Sequence, residues 1–313
     1  MSPGTHVILG AGPVGLATAR ALTRRGEEPI VVSRTVGVSV PSGARHRAGD
    51  VLDPSFLEST IAPGAVVYQA LNAPYHRWRQ DLPPLQRAVV GRCRRASARL
   101  VSFENMYMYG APGGSPLGED APHRPCSIKG RVRSEMALEL ARAREAGTLE
   151  VIQVRASDLF GPGVHASALG DEVFGRIAQA LAPRVAGDPD APHSWTYVED
   201  CAQTLVAAAL HPDPPPVIHV PSEPPVSARD VVALASALSG RPITLRVTPT
   251  WVLRLLGIFD PLIRELPEMI YEFDRPFVVA DTVARGQLGL TSTPFEVAVA
   301  RTLEAFGVIR ATA

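Results

Sequence analysis

The sequence predicts an α/β fold, a doubly wound parallel sheet with a smaller C-terminal substrate-binding subdomain, and three observations carry that expectation. The apolar run Val7-Ile8-Leu9 leads through Gly10-Ala11-Gly12-Pro13-Val14-Gly15 into a helical pattern that lasts to Leu22. Short β-rich runs then recur between helical stretches, at Ile30-Val31-Val32, Ala65-Val66-Val67-Tyr68, Leu100-Val101-Ser102-Phe103 and Val151-Ile152-Gln153-Val154. Alternation of this kind implies βαβ crossovers and hence parallel strands. The order loosens between Val164 and Ser194 and again after Ser222, where proline and helical pattern dominate.

The first strand-turn-helix unit has the spacing of a dinucleotide site. Gly10 allows the tight turn, Gly12 lets the backbone approach a pyrophosphate, and Gly15 lets the helix pack closely on the sheet. Pro13 and Val14 open the helix, whose N-terminus then faces the phosphates. The fold expected is therefore Rossmann-type. The second strand ends in Ser33-Arg34, where a carboxylate would be expected for NAD. A hydroxyl followed by a guanidinium can instead hold a 2′-phosphate through charge-assisted hydrogen bonds. NADP is the preferred cofactor on this ground, with NAD the alternative.

At 313 residues the chain allows one large domain or two modest ones. A dinucleotide-binding domain is expected over 1–160, with 195–222 returning to it, and 161–194 and 223–313 mainly form the substrate-binding subdomain. The 31 basic and 31 acidic residues balance to a formal charge of zero, which leaves no electrostatic footprint for nucleic acid. Arg92-Cys93-Arg94-Arg95 is expected on a solvated helix face. Met1 to His6 run straight into the first strand without a secretory pattern, so a cytoplasmic location is expected. No apolar run reaches membrane-spanning length; even Trp251-Val252-Leu253 is followed at once by Arg254. Cys93, Cys126 and Cys201 are odd in number and widely spaced, which fits reduced thiols and no metal site. Val231, Leu234, Ala235 and Leu238 recur at helical spacing before Gly240, giving an amphipathic helix with a glycine stop.

Several further segments resemble the extended short-chain dehydrogenase/reductase family, the group with the NAD-dependent nucleotide-sugar epimerases and dehydratases. Gly49-Asp50-Val51-Leu52-Asp53 stands where that family places an aspartate on the adenine, and Ala70-Leu71-Asn72-Ala73 is similar to its Asn-Ala-Ala-Gly segment beside the cofactor. Tyr109-Gly110 ends its fifth-strand motif. Arg155-Ala156-Ser157-Asp158-Leu159-Phe160-Gly161-Pro162 resembles its Arg-x-x-Asn-x-Tyr-Gly-Pro exit, with Asp158 in place of asparagine. His193 to Asp200 resembles its Val-x-Asp signature, and Gln287-Leu288-Gly289-Leu290 a pattern at the substrate domain's edge. The resemblance implies cofactor contacts from Asp50, Val51, Ala70, Leu71 and Asn72, and pairing as a homodimer through sheet-flanking helices.

The family's chemistry normally rests on Tyr-x-x-x-Lys at a helix start, assisted by a serine at the end of the preceding strand, and this sequence departs from both. The serine position falls on Asn105. In one register Ser127 replaces the tyrosine and Arg131 the lysine; in the other Lys129 is kept and the tyrosine position is Pro125. Neither supplies a phenol, so an atypical member is expected. Tyr107, two positions beyond Asn105, is the first candidate for a substitute acid/base, with Asn105 contacting the reacting oxygen or nitrogen. Lys129 or Arg131 would hold the nicotinamide ribose; Lys129 and Arg133 share one helix face, Arg131 and Glu135 another. Cys126 and His193 read as packing or polar surface, and the apolar stretch Trp251 to Phe277 as subdomain core.

The expected activity is an NAD(P)-dependent oxidoreductase, a reductase acting on a carbonyl, imine or activated alkene of a small organic molecule. The Ala-, Arg- and Pro-rich composition suits a high-GC genome and a specialised biosynthetic role. One alternative is a redox-neutral epimerase, dehydratase or rearrangement catalyst that retains its cofactor. The other is a non-catalytic dinucleotide-sensing binding protein.

Overall fold

The computed structural model describes residues 5–310, so the first four and last three positions of the expected domains lie outside the described residues. Six strands build the sheet in the first half of the chain: β1 (His6–Leu9), β2 (Ile30–Ser33), β3 (Arg45–Ala48), β4 (Val66–Gln69), β5 (Arg99–Glu104) and β6 (Val151–Arg155). The helices between them are α1 (Pro13–Thr23), α2 (Pro54–Thr60), α3 (Trp78–Arg95) and α4 (Ile128–Glu145). The short strand β7 (Leu159–Phe160), helix α5 (Arg176–Ala178), strand β8 (Arg184–Ala186), strand β9 (Thr196–Tyr197) and helix α6 (Val198–Leu210) precede β10 (Val217–His219). Helix α7 (Ala228–Ser239), strand β11 (Arg246–Thr248) and helices α8 (Thr250–Leu256), α9 (Pro261–Arg264), α10 (Thr282–Gln287) and α11 (Phe295–Ala305) complete the chain.

The main sheet has seven strands in the order β10-β6-β5-β4-β1-β2-β3, and every pairing is parallel. The chain runs outward from β1 to β3, then returns to the other side of β1 with β4, so the winding reverses beside β1. A reversal of this kind opens a crevice at the carboxyl ends of the strands, where ligands bind in doubly wound sheets. Register explains the core. Ile8, Val31, Tyr68, Val101 and Ile152 lie in one row across the sheet and pack with α1 and α6 on one face. Leu9, Val32, Val67, Leu100 and Val151 face the opposite layer, with Val89 and Val90 of α3 and Leu140 of α4.

The strands expected from β-rich runs are present, with ends shifted by a residue or so. β3 was not expected, because Arg-His-Arg-Ala at a sheet edge carries no apolar alternation. The three-residue β10 was missed for its shortness. The solvated face expected at Arg92-Cys93-Arg94-Arg95 is corrected: Arg92 and Cys93 are buried, and Arg92 donates to the carbonyls of Glu58 and Ile61, tying α3 to the end of α2.

A second core joins Phe160, Phe174, Trp195 and Tyr197 to Val231 of α7 and Val299 and Leu303 of α11. Ser227 caps α7 with a reciprocal capping box, and Gly240 ends it in the left-handed region at φ 65°. Helix α10 instead returns to the main sheet, where Ala284 joins the α1/α6 core. The apolar stretch Trp251 to Phe277 is not uniform core: Met269 and Phe277 are buried, but Trp251, Ile258 and Phe259 are exposed. Among the described residues no helix is long and apolar enough to cross a membrane, and no group of three or more potential ligands could hold a metal ion.

Candidate active site

A glycine cradle lies at the carboxyl end of β1. Gly10 has φ 115°, and a Cβ there would stand 2.4 Å from the Ala70 carbonyl oxygen. A Cβ on Gly15 would lie 1.9 Å from the Gly10 carbonyl oxygen, so both positions require glycine. Gly12 differs, since a Cβ there would meet no atom within 4 Å. Gly12 is the N-cap of α1, has no side-chain cap, and is followed by Pro13 at the first helical position and buried Val14. The open space over Gly12 and the uncapped N–H groups of the first turn fit a pyrophosphate.

Around this cradle the other expected contact residues take different parts. Ala70 and Leu71 are partly buried beside Gly10, and Asn72 is exposed, its side chain accepting the Ala73 N–H at 2.9 Å. Ser33 Oγ donates to the Thr35 carbonyl at 2.9 Å and so accepts from His46 Nε2 at 2.8 Å. Arg34 is exposed, without a protein partner among the described residues. Asp50 is exposed with one carboxylate oxygen accepting the Leu52 N–H at 2.9 Å, while Val51 is buried under the sheet.

Next to the cradle, the ends of β4 and β5 and the start of α4 meet in an aromatic and cationic cluster. Tyr75 Oη lies 3.4 Å from Tyr107 Oη. Trp78 stacks on Tyr107 with centroids 5.8 Å apart and meets Tyr75 edge-on at 5.0 Å. Two cations cover these rings: Lys129 Nζ lies 4.4 Å from the Tyr75 centroid, and the Arg133 guanidinium 4.5 Å from that of Trp78. Trp78 is fixed by donating its Nε1–H to the Ala73 carbonyl at 3.1 Å. Burial holds both phenols well above the ordinary tyrosine pKa, so Tyr75 and Tyr107 are neutral hydrogen-bond donors.

Helix α4 turns its candidate cations to different sides. Lys129 is buried and Arg133 faces the cluster, whereas Arg131 and Glu135 are exposed on the outer face. Arg131, a candidate for the ribose, therefore points away from the cluster, and the guanidinium sharing the inner face with Lys129 is Arg133. Ser127 caps the helix, its Oγ accepting the Gly130 N–H at 2.9 Å. Asn105 Oδ1 lies 3.4 Å from the Tyr107 backbone N–H, so this side chain braces the turn that carries Tyr107. Lys129 Nζ donates to Glu265 and, at 2.8 Å, to Glu268 Oε1. Tyr75, Glu265 and Glu268 were not singled out from sequence. One signal was available for the cluster's centre: of the 31 lysines and arginines in the chain, Lys129 is the one lysine.

Beneath the cluster runs a buried polar relay. Arg155 donates through Nε to Glu104 at 3.1 Å and to the Tyr109 oxygen at 2.7 Å. His219 Nδ1 donates to the Ala280 carbonyl at 2.8 Å, so its Nε2 accepts the Tyr109 O–H at 2.7 Å. Burial opposes the Arg155 charge, but Glu104 more than offsets it and keeps the guanidinium ionised. On the substrate side, His193 is not a surface imidazole. It is buried between Trp195, Phe273 and Phe277, with Nδ1 donating to the Glu272 carbonyl at 3.1 Å and Nε2 at 3.1 Å from Asp158 Oδ2. Cys126 is exposed.

A cleft of about 810 Å³ lies elsewhere, between α1, α6 and α11, lined by Arg24, Glu199, Asp200 and Arg301 among others. It holds none of the cradle or cluster residues, so it is not the site that the strand ends build.

The sequence profile of the NAD dependent epimerase/dehydratase family matches residues 6–220. A dTDP-6-deoxy-L-talose 4-dehydrogenase (NAD(P)(+)) of Kitasatospora kifunensis is 25% identical over 264 residues, 78% of this chain and 81% of that one. Among solved structures, a UDP-N-acetylglucosamine 4-epimerase from Methanobrevibacter ruminantium superposes with a TM-score of 0.79 at 17% identity, covering 98% of this chain and 99% of that chain. A dTDP-glucose 4,6-dehydratase from Streptomyces venezuelae with NAD bound gives 0.78 at 15% identity, with 97% of each chain covered.

Proposed function

Since the chain belongs to the NAD-dependent epimerase/dehydratase family, we propose that it is an NAD(P)-dependent oxidoreductase that reduces, or in reverse forms, a carbonyl on a small organic molecule. The observation that carries this reading is the cluster of Tyr75, Tyr107 and Lys129 beside the glycine cradle. The cradle formed by Gly10, Gly12, Pro13, Val14 and Gly15 would hold the pyrophosphate, and Arg133 and Lys129 the nicotinamide ribose side. When bound, the nicotinamide supplies or accepts the hydride.

The residues of the chain then have to fix and polarise the reacting oxygen. Tyr107 and Tyr75 are neutral donors that can hydrogen-bond that oxygen as charge develops on it. Lys129 adds positive charge beside them, and its two glutamates keep the ammonium from moving off the rings. Arg34, exposed directly after β2, supports NADP over NAD as a partner for the 2′-phosphate. The known relative acting on a dTDP-linked 6-deoxy sugar makes nucleotide-linked sugars the first substrates to try. A soluble cytoplasmic dimer in specialised biosynthesis remains the setting this reading favours.

The test is a calorimetric titration with NADPH and NADH, repeated on Arg34→Ala, followed by turnover on dTDP-6-deoxy-L-talose, UDP-glucose and UDP-N-acetylglucosamine. Selective weakening of NADPH in the variant supports the phosphate assignment. Tyr107→Phe should lower turnover about tenfold or more with cofactor affinity unchanged. Deuterated cofactor that leaves no label in product would favour the redox-neutral epimerase instead, and binding without turnover the sensing protein.

A further inference from the structure

The segment from α8 to α9 turns its apolar side to solvent. Trp251, Leu255, Ile258 and Phe259 fall at positions i, i+4, i+7 and i+8, the spacing of one helical stripe. The turn after α8 continues that winding, with the Gly257 N–H on the Leu253 carbonyl and the Asp260 N–H on the Leu256 carbonyl. Such a stripe normally faces the core. Here Leu253 on the opposite side is buried, whereas Trp251 is 66%, Ile258 61% and Phe259 83% exposed, with Leu255 and Leu256 also in solvent. Single exposed apolar side chains need no explanation, but five large ones within nine residues form a patch, and a patch marks a partner.

The charge of the segment says which partner. From 241 to 264 the chain carries Arg241, Arg246, Arg254 and Arg264, all exposed, against one acid, Asp260, in a protein whose formal charge is zero. Arg254 and Arg264 also line a groove of about 390 Å³ with Gly257, Ile258 and Pro267, so two guanidiniums and an apolar wall share one opening. Arg264 is fixed there by donating to the Gly257 and Ile258 carbonyls at 2.9 and 3.2 Å. Guanidiniums grip phosphate oxygens through a planar fork, and Trp and Phe beside arginine settle at the boundary between headgroups and acyl chains. A second copy of the chain fits less well, because a two-fold contact sets the patch against itself and brings arginine to face arginine.

We propose that this patch docks the protein on an anionic lipid bilayer: Trp251, Leu255, Ile258 and Phe259 enter the acyl boundary, and the groove between Arg254 and Arg264 seats a lipid phosphate. The contact is peripheral, since the seven residues of α8 cannot span a bilayer. It is independent of the carbonyl chemistry proposed above. Glu265 and Glu268, which hold Lys129, follow within nine residues of Phe259, so the docked segment is also the one that reaches into the reaction site.

Flotation on a sucrose gradient tests the proposal, with vesicles of phosphatidylcholine alone and of phosphatidylcholine carrying about 30% phosphatidylglycerol. The wild type is expected to float with the anionic vesicles and to stay largely unbound to the neutral ones, and its binding should weaken as salt rises from about 0.1 to about 0.5 M. Trp251→Ser/Phe259→Ser removes the apolar anchors and should lower partitioning about tenfold or more, with Tm unchanged because both side chains already stand in solvent. Arg254→Gln should lower it about fivefold. Wild type that stays at the bottom of the gradient with anionic vesicles, or a double variant that floats as well as the wild type, overturns the proposal. So does sedimentation equilibrium showing a wild-type dimer that the double variant splits into monomers, which would give the patch to a second copy.

Discussion

Lys129 Nζ donates to Glu268 Oε1 at 2.8 Å, and the other oxygen of that carboxylate accepts the Ile128 N–H at 2.9 Å. One side chain from the C-terminal segment thus satisfies both the chain's one lysine and an orphan donor at the start of α4.

Removing the ammonium leaves Glu265 and Glu268 facing each other with no cation between them. Lys129→Met is expected to cost about 1–3 kcal/mol in urea unfolding and to abolish turnover. Lys129→Arg keeps the charge but replaces a compact ammonium with a planar fork above Tyr75. It should recover most of the stability and little of the turnover. Equal recovery of both would reduce Lys129 to a structural ion.

The three glycines of the first turn should separate folding from binding. Gly12 has φ −78° and open space where its Cβ would stand, so Gly12→Ala is expected to fold with Tm unchanged within about 2 °C. The added methyl occupies the cradle, and NADPH affinity should fall about tenfold or more, a loss of about 1.4 kcal/mol. Gly15→Ala places a Cβ 1.9 Å from a backbone oxygen, and should yield little folded protein. Calorimetry on the first and expression with circular dichroism on the second check the pair.

The ion pair of Glu104 and Arg155 joins the ends of β5 and β6 with both side chains 4% exposed. Arg155→Met strands the Glu104 carboxylate and should cost about 3–5 kcal/mol. Adding Glu104→Gln to that variant should return much of the loss, because the cost comes from the unpaired charge more than from the missing contact. A double-mutant cycle in urea measures the coupling.

The cradle was legible in the sequence because glycine spacing encodes backbone geometry directly, and the alternating strand runs encoded the sheet. The chemistry was less so. Helical periodicity showed that Lys129 shares a face with Arg133 and Arg131 with Glu135, but could not say which face turns inward, since that depends on how α4 sits against Trp78 and Tyr107. Tyr75 follows the cofactor loop by only three positions, yet carries no motif of its own. Glu265 and Glu268 come from more than a hundred residues further on, and no local pattern announces that they fold over the start of α4. The solitary lysine was the one sequence signal for that region. Arg92 shows the opposite error: a basic run looks solvated until two carbonyls, of Glu58 and Ile61, require its guanidinium.

His219 makes the relay beneath the site sensitive to acid. Burial is the main reason its pKa is lowered to about 4, against about 6.5 in the unfolded chain. Its Nε2 already accepts the Tyr109 O–H, and Tyr109 in turn accepts from charged Arg155, so a second ring proton would remove the acceptor of the Tyr109 O–H and add a cation beside Arg155. Above pH 6.5 the imidazole is neutral in both states and contributes no pH dependence. Between 6.5 and 4 the unfolded chain binds the extra proton and the folded one does not, so stability falls as pH falls. The full window is worth on the order of 3 kcal/mol, of which about 2 kcal/mol is lost by pH 5. The urea midpoint of the wild type should therefore drop from pH 7 to pH 5, and the drop should shrink in His219→Gln, which removes the titrating ring. A variant that loses as much as the wild type would assign the acid sensitivity to other groups.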